Sequence, residues 1–417
     1  MKKLNLSKEL LLNGMLIGVL SIGLVSCGGG GGGGSSLSTS LPPGSSSSST
    51  PISLGCISPS TPLSYSLATY LCSGGYNGGQ AGAGVFNKPI ITVYIDGQPV
   101  NLLADTGESG LVVDSSVVNI PSSDYSSYTF PEIGTTDASI SGVMASATVC
   151  LNPSITKTCV VMPIGLITST SDNPYPASGE PQGDFGLASG SNSLDIGYNS
   201  SGSSITGFSY PYYLEKQYGI NSYTISFYPL SNTFYANVPL NTSIGWISFG
   251  VYNGNSNTLI SYTMGLFSSF PSTTVVFPSS NPSTPSLTAQ AMFDTGDPYN
   301  VLNTSVFQTE IPNFSQSSDE NACVNYGFPP DGIVNGGFVI SYRLQNNDGS
   351  FQTESFTTEP TLSFCEASIP FTLMEGITFD SSGGFFGLPA MLGHTFTWVL
   401  GTSGTNQGFV QDIGISP

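Results

Sequence analysis

Leu102-Leu103-Ala104-Asp105-Thr106-Gly107 is an apolar run that ends in an acid, a hydroxyl and a glycine. The pattern recurs as Ala291-Met292-Phe293-Asp294-Thr295-Gly296. One such triplet has the composition of an ordinary turn. Two of them, each behind a hydrophobic strand pattern, imply two similar halves that each deliver one carboxylate to a shared site. Two carboxylates held together cannot both ionise easily. They share a proton and can act on one water as base and acid.

The surroundings of the first triplet read as β-structure. Pro89-Ile90-Ile91-Thr92-Val93-Tyr94-Ile95, the turn Asp96-Gly97, and Val100-Asn101-Leu102-Leu103-Ala104 form a hairpin pattern whose second strand runs into Asp105. Short alternating strands are expected at 146–151, 158–167, 223–228 and 246–251, with turn residues between them. The best helical pattern is short, at 212–218. The chain therefore reads as mostly β with a few short helices. No short-period repeat is visible, and the repetition is on the scale of half the chain.

Residues 1–27 have the build of an export signal. Lys2, Lys3 and Lys8 precede a mostly apolar stretch at 10–25, which is short for a membrane span. The stretch ends Leu24-Val25-Ser26-Cys27, which resembles a bacterial lipobox, and this implies that Cys27 becomes the lipidated first residue. An ordinary secretory signal with an incidental cysteine is the alternative. Lipid chains would anchor the protein to a bilayer without spanning it. Gly28 follows the cysteine, with no aspartate there, and the resemblance then favours the outer membrane, on its periplasmic or cell-surface side. Residues 28–52 are a Gly/Ser-rich tether that cannot pack a core and reaches roughly 25–30 Å. Residues 53–84 are a Gly- and Ser-rich lead-in.

Charged residues are 8% of the chain, with 7 Lys and Arg against 26 Asp and Glu and a formal net charge of −19. Beyond the signal the basic residues are Lys88, Lys157, Lys216 and Arg343, which argues against a nucleic-acid partner. Hydroxyls and amides carry the surface. Such a surface is indifferent to acid, because it has few ion pairs to lose when carboxylates protonate. Compositional drift without pH meaning is the alternative. Six cysteines follow Cys27 and fall in local pairs: Cys56 with Cys72, Cys150 with Cys159, and Cys323 with Cys365. Fifteen connectivities are possible, so these pairings rest on proximity. Export makes disulfides plausible. Metal binding is a weak alternative, because there is no CxxC and a single histidine, His394.

Further stretches resemble the pepsin-like aspartic proteases. In that family each lobe has two apolar residues and a glycine packed beneath its aspartate loop. Asp184-Phe185-Gly186-Leu187-Ala188 resembles the N-lobe signature, and Ala390-Met391-Leu392-Gly393 resembles that of the C-lobe. Tyr212-Tyr213-Leu214 through Ile220, then Tyr223-Thr224-Ile225-Ser226-Phe227-Tyr228, resembles the helix and strand near the lobe junction. Ile244-Gly245-Trp246-Ile247-Ser248-Phe249-Gly250 resembles the strand that follows, and Cys323 with Cys365 sits where the family often has a disulfide. The order holds from about residue 88 to 417. The resemblance implies a bilobal β-fold with lobes at 83–240 and 241–417 and a cleft between them.

It also implies roles. Asp105 and Asp294 form the catalytic dyad. Thr106 and Thr295 bond to the opposite loop's backbone, and Gly107 and Gly296 let backbone N–H groups approach the carboxylates. The expected activity is that of an acid endopeptidase without metal or organic cofactor, monomeric, cutting extended peptide or protein substrates. The chain departs from the family in several places. Glu108 and Asp297 stand where Ser or Thr normally donates to the dyad, and a carboxyl can donate only when protonated. The flap hairpin, near 133–143, has Ile133 or Thr135 in place of the usual Tyr, with Tyr128 and Phe130 the nearest aromatic substitutes. Val112 replaces the partner Trp. Residues 28–84 lack Lys and Arg, so no basic pro-segment is present. His394 stands where the family often has Asp and reads as structural. Two outcomes follow: a protease confined to low pH, or an inactive lipoprotein of the same fold that binds peptides or proteins.

Overall fold

The computed structural model describes residues 67–74, 88–134, 139–168, 175, 181–188, 196–198, 204–206, 209–229, 241–254, 260–263, 272–276, 286–296, 300–303, 339–345, 348–357, 373–376, 383–400 and 410–416. Strand β1 (Ala68–Gly74) lies in the segment expected as a lead-in. β2 (Lys88–Ile95) and β3 (Gln98–Asp105) form the expected hairpin. Asp96 and Gly97 turn it at φ of 47° and 82°, the doubly positive geometry of a tight hairpin. The Asp96 carboxylate then accepts the Thr148 N–H at 2.8 Å. β4 (Ser109–Asp114), β5 (Tyr125–Gly134), β6 (Ser139–Cys150), β7 (Cys159–Ile167) and β8 (Gly183–Leu187) follow.

Six of these strands close a barrel. β2, β3, β8, β4, β7 and β6 pair in that order, and β6 returns to β2 through Tyr94↔Cys150 and Ile95↔Val149. Alternation drives the closure. On β7, Val160 and Met162 are each 1% exposed while Val161 between them is 62% exposed. Ile91, Val93, Leu102, Val113, Ile164 and Phe185 fill the core, and each such side chain contributes roughly 1.5–3 kcal/mol by leaving water. A disulfide joins Cys150 to Cys159, where β6 and β7 meet. Cys72 is also disulfide-bonded. Cys56, Cys323 and Cys365 lie outside the described residues, as do Cys27, the signal and the tether.

β9 (Ile196–Tyr198) and β10 (Ser204–Thr206) form a hairpin that joins β5 at Thr129↔Tyr198. The expected helix runs Tyr210–Tyr218, with Ser209 at its N-cap and a proline in its first turn, and ends at Gly219. β11 (Ser222–Phe227) and β12 (Ser243–Gly250) follow. β1 pairs with both β2 and β12, so the start of the described chain is built into the sheet.

The second half repeats part of the strand pairing of the first. It contains β13 (Ile260–Thr263), β14 (Ser272–Val276), β15 (Ser286–Phe293), β16 (Asn300–Asn303), β17 (Val339–Gln345), β18 (Phe351–Thr357), β19 (Leu373–Gly376), β20 (Gly383–Phe386), a one-turn helix Leu388–Met391, β21 (Thr395–Leu400) and β22 (Val410–Ser416). A seven-stranded sheet contains the order β14-β15-β20-β16-β19, and the first sheet contains β2-β3-β8-β4-β7. The directions agree pair by pair: antiparallel, parallel, antiparallel, parallel. Each half thus places one strand parallel and inserted beside the strand that leads to its aspartate.

β21 pairs with β11 and carries the end of the chain back to its middle. Aromatic rings follow that connection. Phe185 packs on Tyr210, Tyr210 on Phe249, Phe249 on Tyr223 and Tyr223 on Trp398, then Trp398 on Phe396 and Phe396 on Phe293, with centroids 5.0–6.0 Å apart. This buried path runs from the strand beside Asp105 to the residue before Asp294.

Candidate active site

Strand pairing delivers each acid. β3 ends on Asp105 opposite Gly186 of β8, and β15 ends on Phe293 opposite Phe386 of β20, with Asp294 next. The chain then turns, and its N–H groups face back on the carboxyl. Asp105 Oδ1 accepts from Gly107 at 2.7 Å and from Glu108 at 3.2 Å. Asp294 Oδ1 accepts from Gly296 at 2.8 Å. These bonds offset the desolvation of acids that are 3% and 4% exposed.

The two turns interlock. Thr106 N–H donates to Thr295 Oγ1 and Thr295 N–H donates to Thr106 Oγ1, both at 3.0 Å. Each hydroxyl donates onward, Thr106 to the Phe293 carbonyl at 2.8 Å and Thr295 to the Ala104 carbonyl at 2.6 Å. The carboxyls cross over as well. A Cβ added at Gly107 would overlap the Asp294 carboxyl, and one added at Gly296 would overlap the Asp105 carboxyl. Each acid therefore occupies the space that the opposite turn leaves by having glycine. The structure brings together Asp105, Thr106, Gly107 and Glu108 with Asp294, Thr295 and Gly296. Asp297 lies outside the described residues.

One sequence assignment is corrected. The glycine paired behind Asp105 is Gly186, preceded by Phe185. Continuing the β15/β20 register by one residue puts Gly387 opposite Asp294, preceded by Phe385 and Phe386. The apolar pair and glycine of the second half are thus Phe385-Phe386-Gly387, and Ala390-Met391-Leu392-Gly393 lies beyond them. That later stretch forms the end of the short helix and the turn into β21. The reassignment also removes His394 from the position after the glycine, which Leu388 occupies. His394 instead caps the turn, its N–H donating to the Met391 carbonyl at 3.2 Å. Both stretches carry the apolar–apolar–glycine pattern, and only strand pairing separates them.

Three further residues shape the site. Asp184, 2% exposed, stands on β8 at a position where the signature calls for an apolar side chain. Tyr175 donates its hydroxyl to Asp184 Oδ2 at 3.0 Å. Burial pushes the Tyr175 phenol well above its ordinary value, and the charges of Asp184, Asp105 and Glu108 push it the same way. Glu108, 4% exposed, lies within this acidic interior, and its carbonyl accepts the Ala188 N–H at 2.8 Å. Lys88, 2% exposed, donates to the Gly296 carbonyl at 2.5 Å. The readable signals were an acid inside an apolar signature and a lysine at the mouth of an apolar strand. Tyr175 had none.

The segment expected as the flap lies on two antiparallel strands, with residues 135–138 between them outside the described residues. β5 and β6 pair through Ile133↔Ile140 and Gly134↔Ser139, and Phe130 sits opposite Gly142. Val112 is buried on β4, between β8 and β7. Among the described residues no group of three or more His, Cys, Asp or Glu is arranged to hold a metal ion, and no helix is long and apolar enough to cross a membrane. No protein-family model and no curated protein matches this chain.

Proposed function

We propose that this chain is a bilobal, pepsin-like aspartic endopeptidase that works in acid. The observation that carries the reading is the crossing of the two turns, in which each aspartate's carboxyl fills the space at the other turn's glycine while the threonines exchange hydrogen bonds. In the proposed mechanism Asp105 and Asp294 share one proton and hold a water. The ionised carboxyl takes a proton from that water as it attacks the peptide carbonyl. The protonated carboxyl donates to the carbonyl oxygen, and the resulting tetrahedral diol collapses with proton transfer to the leaving amine. No covalent enzyme intermediate forms. The β5/β6 strand pair serves as the flap, and an extended peptide lies in the cleft with its backbone groups hydrogen-bonded. Residues 1–27 direct export, and lipid on Cys27 holds the domain to the outer membrane by the 28–52 tether.

A second reading is favoured by the buried carboxyl of Glu108, which stands where a hydroxyl donor belongs. In that reading the fold binds peptides without cutting them. One experiment separates the two. A denatured protein substrate is incubated at a series of pH values from 2 to 7 with wild type and with Asp105→Asn. Cleavage in acid that the variant loses supports the protease. Peptide binding without cleavage at every pH supports the binder.

A further inference from the structure

We propose that Lys88 is a positioning residue of the Asp105–Asp294 pair, its buried ammonium fixing the Gly296 carbonyl and supplying the positive charge that keeps one of the two carboxyls ionised in acid. The proposal rests on the reading of that pair as a catalytic dyad.

Lys88 opens β2, opposite Gly74 of β1, and is among the largest fully buried side chains. Its Nζ reaches the Gly296 carbonyl, 208 positions away, at 2.5 Å. Gly296 is the residue on which both acids depend. Its N–H holds Asp294 Oδ1 at 2.8 Å, and its missing side chain makes room for the Asp105 carboxyl. A shift of this one peptide moves both carboxyls. Lys88 is therefore a strut from the first half of the chain to the second turn.

Its charge matters separately from its hydrogen bond. Among the described residues the buried titratable groups of this region are Asp105 and Glu108 on the first turn, Asp294 on the second, and Asp184 on β8 with Tyr175 beside it. Gly74 and Ser73 of β1, packed beside Lys88, carry no charge. Among the described residues Lys88 is the basic group buried with these four acids. In a low-dielectric interior a cation favours the ionised form of nearby carboxyls. Without it the acids would hold both protons to higher pH, and the pair would lose its base in the acid range where it is proposed to work.

Three substitutions divide the roles. Lys88→Met removes donor and charge, Lys88→Gln keeps a donor without charge, and Lys88→Arg keeps both. The acid limb of the kcat profile is expected to move up by about one pH unit or more in the Met and Gln variants and to stay in the Arg variant. Maximal kcat is expected to fall about tenfold or more in the Met variant, with KM changed less. Carbon-13 NMR of aspartate-labelled full-length protein reads the same carboxyls without activity, and the lower of the pair's two titrations should rise in the Met and Gln variants. Thermal melting shows which variants are folded, and Gln carries the test if Met does not fold. A folded Met or Gln variant with an unchanged acid limb and unchanged titrations overturns the proposal. Wild type that cuts nothing, or Asp105→Asn that still cuts, overturns the protease reading instead, and the NMR shift still decides whether Lys88 tunes these acids.

Discussion

Thr106 and Thr295 hold each other's backbone: each N–H donates to the other's hydroxyl at 3.0 Å, across 189 positions of sequence. Both residues are completely buried. The exchange ties the two acid turns into one unit, since each hydroxyl also donates to the strand that leads into the opposite turn.

Replacing either threonine by valine keeps the shape and removes the hydroxyl. The partner's N–H then loses its acceptor in a dry environment, which costs about 1–3 kcal/mol. Denaturant unfolding of Thr106→Val, Thr295→Val and the double variant checks this. The double variant should lose less than the sum of the singles, with a coupling of about 0.5 kcal/mol or more, because both substitutions loosen one interlocked unit.

The glycines are expected to be needed for chemistry more than for folding. Alanine at Gly107 or Gly296 pushes the opposite carboxyl out of place. A displacement near 1 Å lowers kcat by about a hundredfold. Peptidase assays beside melting curves should show a large activity loss with a small change in melting temperature.

Glu108 is expected to make activity acid-dependent. A protonated carboxyl can donate toward a neighbouring carboxylate such as that of the proposed dyad, and an ionised one cannot. Activity should therefore fall as pH rises through the range where Glu108 and Asp297 ionise. Glu108→Ser combined with Asp297→Thr should move the optimum toward neutral, and the pH–rate profile of the double variant reads this directly.

Tyr175 sets an alkaline limit on stability. Its folded-state phenol is raised above the ordinary 10.0 by burial first and by the Asp184, Asp105 and Glu108 charges after it. The folded state thus holds the phenolic proton more tightly than the unfolded state. The stabilisation is fully present below about pH 10 and is lost as pH rises above it toward the folded value. Tyr210, whose hydroxyl donates to the Thr158 carbonyl, is raised by burial in the same direction. Unfolding measured at pH 7, 9 and 11 should show a steep loss above pH 10, and Tyr175→Phe should make that loss shallower.

Trp398 is the largest ring of the aromatic path, 0% exposed and stacked on Tyr223 at 5.0 Å and on Phe396 at 5.7 Å. Trp398→Ala should destabilise by about 3–5 kcal/mol through the cavity it leaves. Because Phe396 packs on Phe293, the residue before Asp294, activity should fall even where the variant stays folded. Unfolding and peptidase assays on Trp398→Ala and the milder Trp398→Phe check both effects.

The amino-acid sequence by itself determined the local elements. The strand alternation of β2 and β3, the Asp96-Gly97 turn, the helix near 212–218 and the two acid triplets are all readable, because propensity, turn chemistry and side-chain period act over a few residues. Tertiary structure decided the rest. Two apolar–apolar–glycine stretches compete in the second half, and parallel pairing with β15 selects Phe385-Phe386-Gly387. Lys88 and Asp184 stand out in the sequence only as polar residues beside apolar ones, and strands distant in sequence bury them beside the acids. Their burial and their bonds depend on neighbours up to 208 positions away, and no local pattern encodes either.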